Sequence, residues 1–351
     1  MTRYAILGAG QQGRAVAHNL AARADTTGLV LVDKREPPDM PAGATWLDAD
    51  VLSADGAARA VAHADCVVLA LPGDLAMGAL GHLVSLGVPV VDISFTPETP
   101  YILDSVAKQS GTCIIADVGV APGLSHLLVG EAHRRLEGLD AARIWVGGIP
   151  LEPRAPFHHA VYFHPADLVA EYVRPARARR DGKAIHPAPL DEPTRPFHDD
   201  EKGDFEAFLS DGLRSLLSSY PDVHTLEEWT LRRPGHLDYM RGLDLADAAL
   251  PAQLAHDYPA ADNPDFLLMR VDAHKGDHML SWRLLDTHDG ALTAMSRTTA
   301  FTAAAVAHEI ARGTFSRPGV HPPERLADVG GLVVRIIADL AAHGVKVEEI
   351  V

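Results

Sequence analysis

Gly8-Ala9-Gly10-Gln11-Gln12-Gly13 spaces three glycines as G-x-G-x-x-G. Where such a segment links a strand to a helix, it makes a phosphate-binding turn. Gly8 would allow the tight turn, Gly10 the approach of a pyrophosphate to the backbone, and Gly13 close helix–strand packing. Gln11 and Gln12 open the helix, whose free N–H groups and partial positive charge suit phosphate. Asp33 follows 20 residues after Gly13. Its carboxylate would accept hydrogen bonds from a ribose diol and repel a 2′-phosphate, which favours NAD over NADP. Lys34 and Arg35 come next and could receive that phosphate, so NADP stays open. Asp50 and Val51 fall where a third strand should end, beside an adenine. Leu71 and Pro72 end a fourth strand, on the nicotinamide side. Plain loop structure is the other reading of these four positions.

The elements that must hold these residues are legible as apolar runs alternating with helical spacing. Strands are expected at 4–7, 29–32, 66–71, 88–93 and 113–118, and helices at 12–24, 57–64, 75–86 and 100–110. Continuous apolar strands between amphipathic helices indicate a parallel sheet covered on both faces. Ser94 follows one such strand, at the edge where parallel sheets gather ligands. Beyond residue 120 the pattern changes. A helix at 124–135 precedes broader strands at 143–146, 159–163, 266–274 and 278–286, the last two joined by a turn at His274-Lys275-Gly276-Asp277. Residues 181–204 read as loop and short strand, 298–312 as a helix, 315–324 as an extended connector and 326–343 as a final helix. The expected fold class is α/β: a Rossmann-type parallel-sheet domain over 1–122, then a mixed α+β domain for substrate and dimerisation over 123–314. A connector and helix over 315–351 return to the first domain.

The chain has 351 residues, 47% of them hydrophobic and 22% charged, which excludes a disordered chain. A formal net charge of −16 argues against nucleic acid or an anionic membrane as partner, both being polyanions. Cys66 and Cys113 lie in apolar runs and read as buried thiols, without disulfide or zinc site. His158, His159, His164, His274 and His278 lack metal-ligand spacing, and no metal is expected. No apolar run is long enough for a membrane span, and the N-terminus enters a strand without a signal-peptide pattern. A cytoplasmic location is the expectation.

Ala116 to Ser125 reads A-D-V-G-V-A-P-G-L-S and resembles the A-G-x-x-P-G-L motif of the saccharopine dehydrogenase-like family. Further similarities follow in order. V-G-G-I-P from Val146 is similar to the family's V-G-G-L-P turn. Tyr162-Phe163-His164 and Glu171-Tyr172 precede a P-x-x-x-x-R-x-G-K pattern running from Pro175 to Lys183. T-L-R-R-P-G-H from Thr230 resembles T-L-R-Y-P-G-H, A-M-S-R-T-T from Ala294 resembles A-M-x-R-T-T, and P-G-V-H-P-P-E from Pro318 resembles G-V-x-P-P-E.

The resemblance spans almost the whole chain. It implies a nicotinamide-dependent enzyme acting on a C–N bond of an amino acid, working as a homodimer. Within the family the likeness is nearest to members that oxidise the 6-amino group of lysine. Their imine product hydrolyses to allysine and cyclises to a piperideine carboxylate. Some saccharopine reductases carry Asp where Ala121 stands, and Ser210 to Arg214 lacks their P-N-R. Both departures favour a smaller substrate, while Arg214 keeps a dicarboxylate open. Reductive condensation, as in saccharopine reductase or carboxynorspermidine dehydrogenase, is the alternative; a non-catalytic dinucleotide-binding regulator is another. By position in these motifs, Arg232 and Arg297 are candidate carboxylate clamps. Thr230, Phe163 and His164 align with pocket positions, and Ser94 joins them as a substrate-binding candidate. Asp117, Glu171 and His236 are candidates for the catalytic base, with structural hydrogen bonding as their other reading.

Overall fold

The computed structural model describes residues 1–96 and 99–351. The chain divides into two compact units, residues 1–130 with 296–345 and residues 131–295 with 346–351.

The first unit begins with β1 (Thr2–Leu7), α1 (Gln11–Ala21), β2 (Thr26–Val32), β3 (Thr45–Leu47), α2 (Ala54–Val61), β4 (Cys66–Leu69), α3 (Gly73–Leu83) and β5 (Val90–Asp92). A 3-10 turn, Pro100–Leu103, leads into α4 (Asp104–Ser110), then β6 (Cys113–Ile115) and α5 (Leu124–Arg135). The apolar runs became strands because both of their faces are covered: every residue of β4, β5 and β6 is buried. β1 pairs in parallel with β2 on one side and β4 on the other. The chain therefore winds outward from β1 to β3, then returns to β4 and winds the other way. That reversal opens a crevice at the carboxyl ends of β1 and β4, where ligands bind in such sheets.

The second unit carries β7 (Ala141–Pro150), α6 (Pro165–Val173), β8 (Ala178–Arg180), β9 (Lys183–Ile185), β10 (Arg195–Asp199), β11 (Gly203–Leu209), α7 (Leu216–Ser219), β12 (Thr225–Arg232), α8 (His236–Arg241), α9 (Leu250–Asp257), β13 (Asp265–Lys275) and β14 (His278–Thr287). The chain then gives the first unit most of α10 (Ala294–Ala311), β15 (Gly319–His321) and α11 (Leu332–Ala342), and ends with β16 (Val347–Glu349). The first sheet has seven strands, ordered β15-β6-β5-β4-β1-β2-β3. The second has nine among the described residues, with the path β10-β11-β12-β7-β13-β14-β16, β8 beside β12 and β9 beside β8. β12 and β7 are parallel, and the other pairings are antiparallel. The α/β class with a mixed second sheet is the architecture expected from the sequence.

Several local readings need correction. Residues 146–150 are not a turn: β7 runs on through Pro150 in register with β13. Its glycines serve close packing, since a Cβ at 147 would lie 2.6 Å from the Leu231 carbonyl oxygen. Residues 159–163 are not a strand; His158 is left-handed at φ 53° and only Val161 bridges, to Pro259. The connector at 315–324 contains β15, which extends the first sheet beside β6. The last helix starts at Leu332, after Gly331 at φ 77° interrupts the chain. Both cysteines are free and buried, and burial raises both thiols, Cys113 to about 12.

Candidate active site

In the first unit, the glycine turn sits where β1 runs into α1. A Cβ at Gly8 would lie 2.4 Å from the Ala70 carbonyl oxygen, just past β4, and one at Gly13 would lie 1.8 Å from the Gly8 carbonyl oxygen. Only hydrogen fits at either place. At Gly10, by contrast, a Cβ would meet nothing within 4 Å. Gly10 is also the N-cap of α1 and provides no side-chain cap, and the first turn carries no acid. Uncapped N–H groups facing open space are the donor set that a pyrophosphate requires. Gln11 is exposed, and the Gln12 amide donates to the Ser296 hydroxyl at 3.2 Å.

Asp33 follows β2, its two carboxylate oxygens accepting from the backbone N–H groups of Ala9 at 2.9 Å and Arg35 at 3.2 Å. The carboxylate is thereby tied to the glycine turn. Lys34 pairs with Asp50 at 3.1 Å, which holds the Asp50 carboxyl below its usual range. Val51 is buried beside it, ahead of α2. Leu71 is half-buried and Pro72 exposed, between β4 and α3. Ser94 is buried after β5; its N–H donates to Asp92 at 2.9 Å, and its hydroxyl has no hydrogen-bond partner among the described residues. Asp117 is buried after β6 at φ 59°. All these candidates follow the carboxyl ends of parallel strands, as a nucleotide site in this topology requires. We expect Gly13→Ala to lower the melting temperature by roughly 5 °C or more, from the overpacking cost, and to weaken dinucleotide binding at least about tenfold. Thermal unfolding and fluorescence titration check it; unchanged binding would refute the cradle.

The second unit holds a separate polar nest built on β12. Side chains alternate along a strand, so Glu228, Thr230 and Arg232 share one face. Arg232, 3% exposed, donates from Nη2 to Glu171 at 2.7 Å, from Nε to the Tyr172 hydroxyl at 2.9 Å and from Nη1 to the Leu231 carbonyl at 3.0 Å. It also lies 5.8 Å from the Tyr172 ring centre and 5.7 Å from that of Phe208. Glu171 and Tyr172 come from α6. The Tyr172 hydroxyl lies 2.7 Å from His236 Nε2, and His236 Nδ1 lies 2.6 Å from the Phe157 carbonyl oxygen. A carbonyl can only accept, so Nδ1 carries the proton and Nε2 accepts from Tyr172. Burial, with Arg232 nearby, lowers His236 to about 3 and keeps it neutral. Burial raises the Glu171 carboxyl, against the pull of Arg232. Thr230 donates to the Ser210 hydroxyl at 2.8 Å.

Sequence reasoning missed three members of this nest. Glu228 is 4% exposed and its Oε2 has no hydrogen-bond partner; burial, then the charges of Asp211 and Glu171, raise it to about 8. His159 is buried with neither ring nitrogen hydrogen-bonded, and the Tyr162 hydroxyl is likewise unpartnered. Burial holds His159 well below its ordinary value and Tyr162 above its own. The other expected pocket residues make contacts of their own. His164 is exposed and pairs with Asp167 at 3.3 Å. Phe163 packs, half-buried, against the apolar cluster around Phe157 and Leu168. Arg297 lies in α10, within the first unit, where it donates to the Gly344 carbonyl at 3.1 Å and stacks over Phe301.

Residues 119–345, well over half of the chain, match the model of the saccharopine dehydrogenase C-terminal domain. Residues 3–95 match that of the coenzyme F420-dependent NADP oxidoreductases. An alpha-aminoadipic semialdehyde synthase of Arabidopsis thaliana is 23% identical over 164 residues, which cover 45% of this chain and 15% of that protein. The match thus spans a small part of that relative's length. A saccharopine dehydrogenase (L-Glu forming) of Saccharomyces cerevisiae has the same fold, with a TM-score of 0.77 at 14% identity over 100% of both chains. An engineered D-amino acid dehydrogenase bound to NADP+ aligns with a TM-score of 0.47 at 13% identity, over 98% of this chain and 99% of its own. Among the described residues, no helix is long and apolar enough to cross a membrane. The chain belongs to the saccharopine dehydrogenase family, NAD(P)-dependent oxidoreductases that act on amino acids.

Proposed function

We propose that the chain oxidises the 6-amino group of L-lysine, as a lysine 6-dehydrogenase. The observation that carries this reading is the anchored guanidinium of Arg232. Arg232 is fixed by Glu171 and Tyr172 and suits one carboxylate, while Arg297 is engaged with Gly344. Three of the five N–H groups of Arg232 are used by the protein, leaving donors for a ligand carboxylate. NAD(P), when bound, supplies the hydride acceptor. Arg232 orients the amino acid, and the Tyr172–His236–Phe157 relay holds Arg232 in place. Buried and neutral, His236 serves as an acceptor for Tyr172 rather than as a base.

Purified protein with NAD or NADP and a panel of lysine, ornithine, diaminopimelate and saccharopine tests the reading by reduced-cofactor absorbance. Turnover with lysine alone supports it. Turnover only with saccharopine, or only in the condensing direction, supports the second reading, a saccharopine-type reductive condensation. Arg214, at φ 42° two residues beyond Gly212, is the residue that keeps that reading open.

The cofactor preference in this proposal is for NAD, through Asp33. Lys34 is drawn to Asp50, which leaves Arg35 as the nearer cation for a 2′-phosphate. Asp33→Ser is expected to shift the NAD to NADP ratio of kcat/KM by about tenfold or more towards NADP, the equivalent of roughly 1.4 kcal/mol. A ratio that does not move would show that Asp33 does not face the ribose.

A further inference from the structure

We infer that Glu228 receives the distal ammonium group of the amino-acid substrate and takes its proton before hydride leaves the neighbouring carbon. The inference rests on the amine-oxidation reading above. It starts from a carboxyl group without a partner. Glu228 Oε2 has no hydrogen bond, and the residue is 4% exposed. Its Oε1 fills the space that a side chain at 212 would occupy, since a Cβ there would lie 1.6 Å away. The two acids near it are each satisfied. Asp211, in the loop after β11, is held by Arg177 at 2.7 and 3.0 Å, and Glu171, on α6, by Arg232 at 2.7 Å. Among the described residues Glu228 has two negative neighbours and no cation paired with it, and an unpaired buried carboxylate is costly. Burial and those neighbours raise it to about 8, so at neutral pH it holds a proton. A cation entering the nest would restore its charge.

Spacing selects which cation. Glu228 and Arg232 are four residues apart on one face of β12, roughly 13 Å at ~3.3 Å per residue. That backbone separation suits an elongated ligand, with its cation at the end away from its carboxylate. An amino acid held by its carboxylate at Arg232 thus presents a distal amine to Glu228, whereas its α-amine stays beside the carboxylate. On binding, the ammonium displaces one proton from Glu228 to solvent. One N–H bond of the ammonium then breaks as an O–H bond forms on the carboxylate, giving a neutral amine and a carboxylic acid. The amine lone pair forms the C=N bond as hydride leaves carbon with its electron pair. The carbon is oxidised and the oxidised nicotinamide is reduced. A carboxylate within hydrogen-bond reach of the ammonium is placed to take this proton.

The test is carboxyl NMR of the full chain labelled with 13C at glutamate, as wild type, Glu228→Gln and Glu228→Asp. It is run alone, with lysine plus NADH, and with norleucine plus NADH, norleucine lacking the distal amine. In the free protein one glutamate signal, missing from both variants, should titrate near pH 8. Lysine should move that midpoint down by two pH units or more, and norleucine should not. A midpoint in the ordinary carboxylate range, or an equal response to norleucine, overturns the inference. Lysine turnover in Glu228→Gln with the wild-type rate and pH profile overturns it too, and leaves the lysine reading standing. If ornithine or diaminopimelate moves the signal and lysine does not, Glu228 keeps its role and the lysine reading falls.

Discussion

Arg232→Lys is expected to raise KM for lysine by two to three orders of magnitude, about 3–4 kcal/mol, with NAD(P) affinity unchanged. The substitution keeps a positive charge opposite Glu171, so the carboxyl on α6 is not left alone. It removes the planar fork that lets one side chain serve Glu171, Tyr172 and a ligand carboxylate together. An ammonium has three donors and no fixed plane, and in this nest Glu171 and Tyr172 already claim two of them. Loss of binding shared by ground state and transition state appears in KM more than in kcat. Titration of the variant with NADH checks the cradle in the other unit, and urea unfolding separates lost binding from collapse of the unit that holds Arg232. A KM within threefold of wild type would show that Arg232 is structural only.

Glu228→Gln is expected to stabilise the chain, increasingly so as pH rises. A carboxyl raised from 4.5 to about 8 by folding binds a proton that the unfolded chain has released. Between those values the wild type therefore loses stability as pH rises, by up to about 1.4 kcal/mol per pH unit. Glutamine has the shape of the protonated acid and no titration, so the variant lacks this slope. Asp265 is also raised, but it titrates in both proteins and cancels in the comparison. Urea unfolding at pH 5, 6.5 and 8 should show a gap that widens to the order of 3 kcal/mol. Parallel curves would mean that Glu228 folds as an ordinary carboxylate. A gain in stability with a loss of turnover is the pattern of a group retained for function at a cost to the fold.

The first sheet was readable because β4, β5 and β6 are buried throughout and their apolar runs are bounded by Pro and Gly. The same rule hid β12. Both of its faces are buried, yet it carries Glu227, Glu228 and Arg232, so neither an apolar run nor a clean alternation appears. Glu227 points to the opposite face, where Arg143, Arg180 and Arg195 lie at 3.1, 2.7 and 3.6 Å. Two adjacent acids thus have opposite environments, which only the pairing of β12 with β7 and β11 decides. The glycine turn was legible because it is local: strand, turn and helix lie within 21 residues. Arg232 was reached through a motif. Glu228 was not, because what distinguishes it is that no cation among the described residues pairs with it, while its neighbours Asp211 and Glu171 each have one.

The central claim, oxidation of the distal amine, is tested most directly with lysine labelled with 15N at the 6-amino group. Incubation with the protein and NAD should release labelled ammonia in step with NADH. The cyclic imine of allysine should form, retaining the unlabelled α-nitrogen. Unlabelled ammonia, or label retained in a condensed product, would contradict the account.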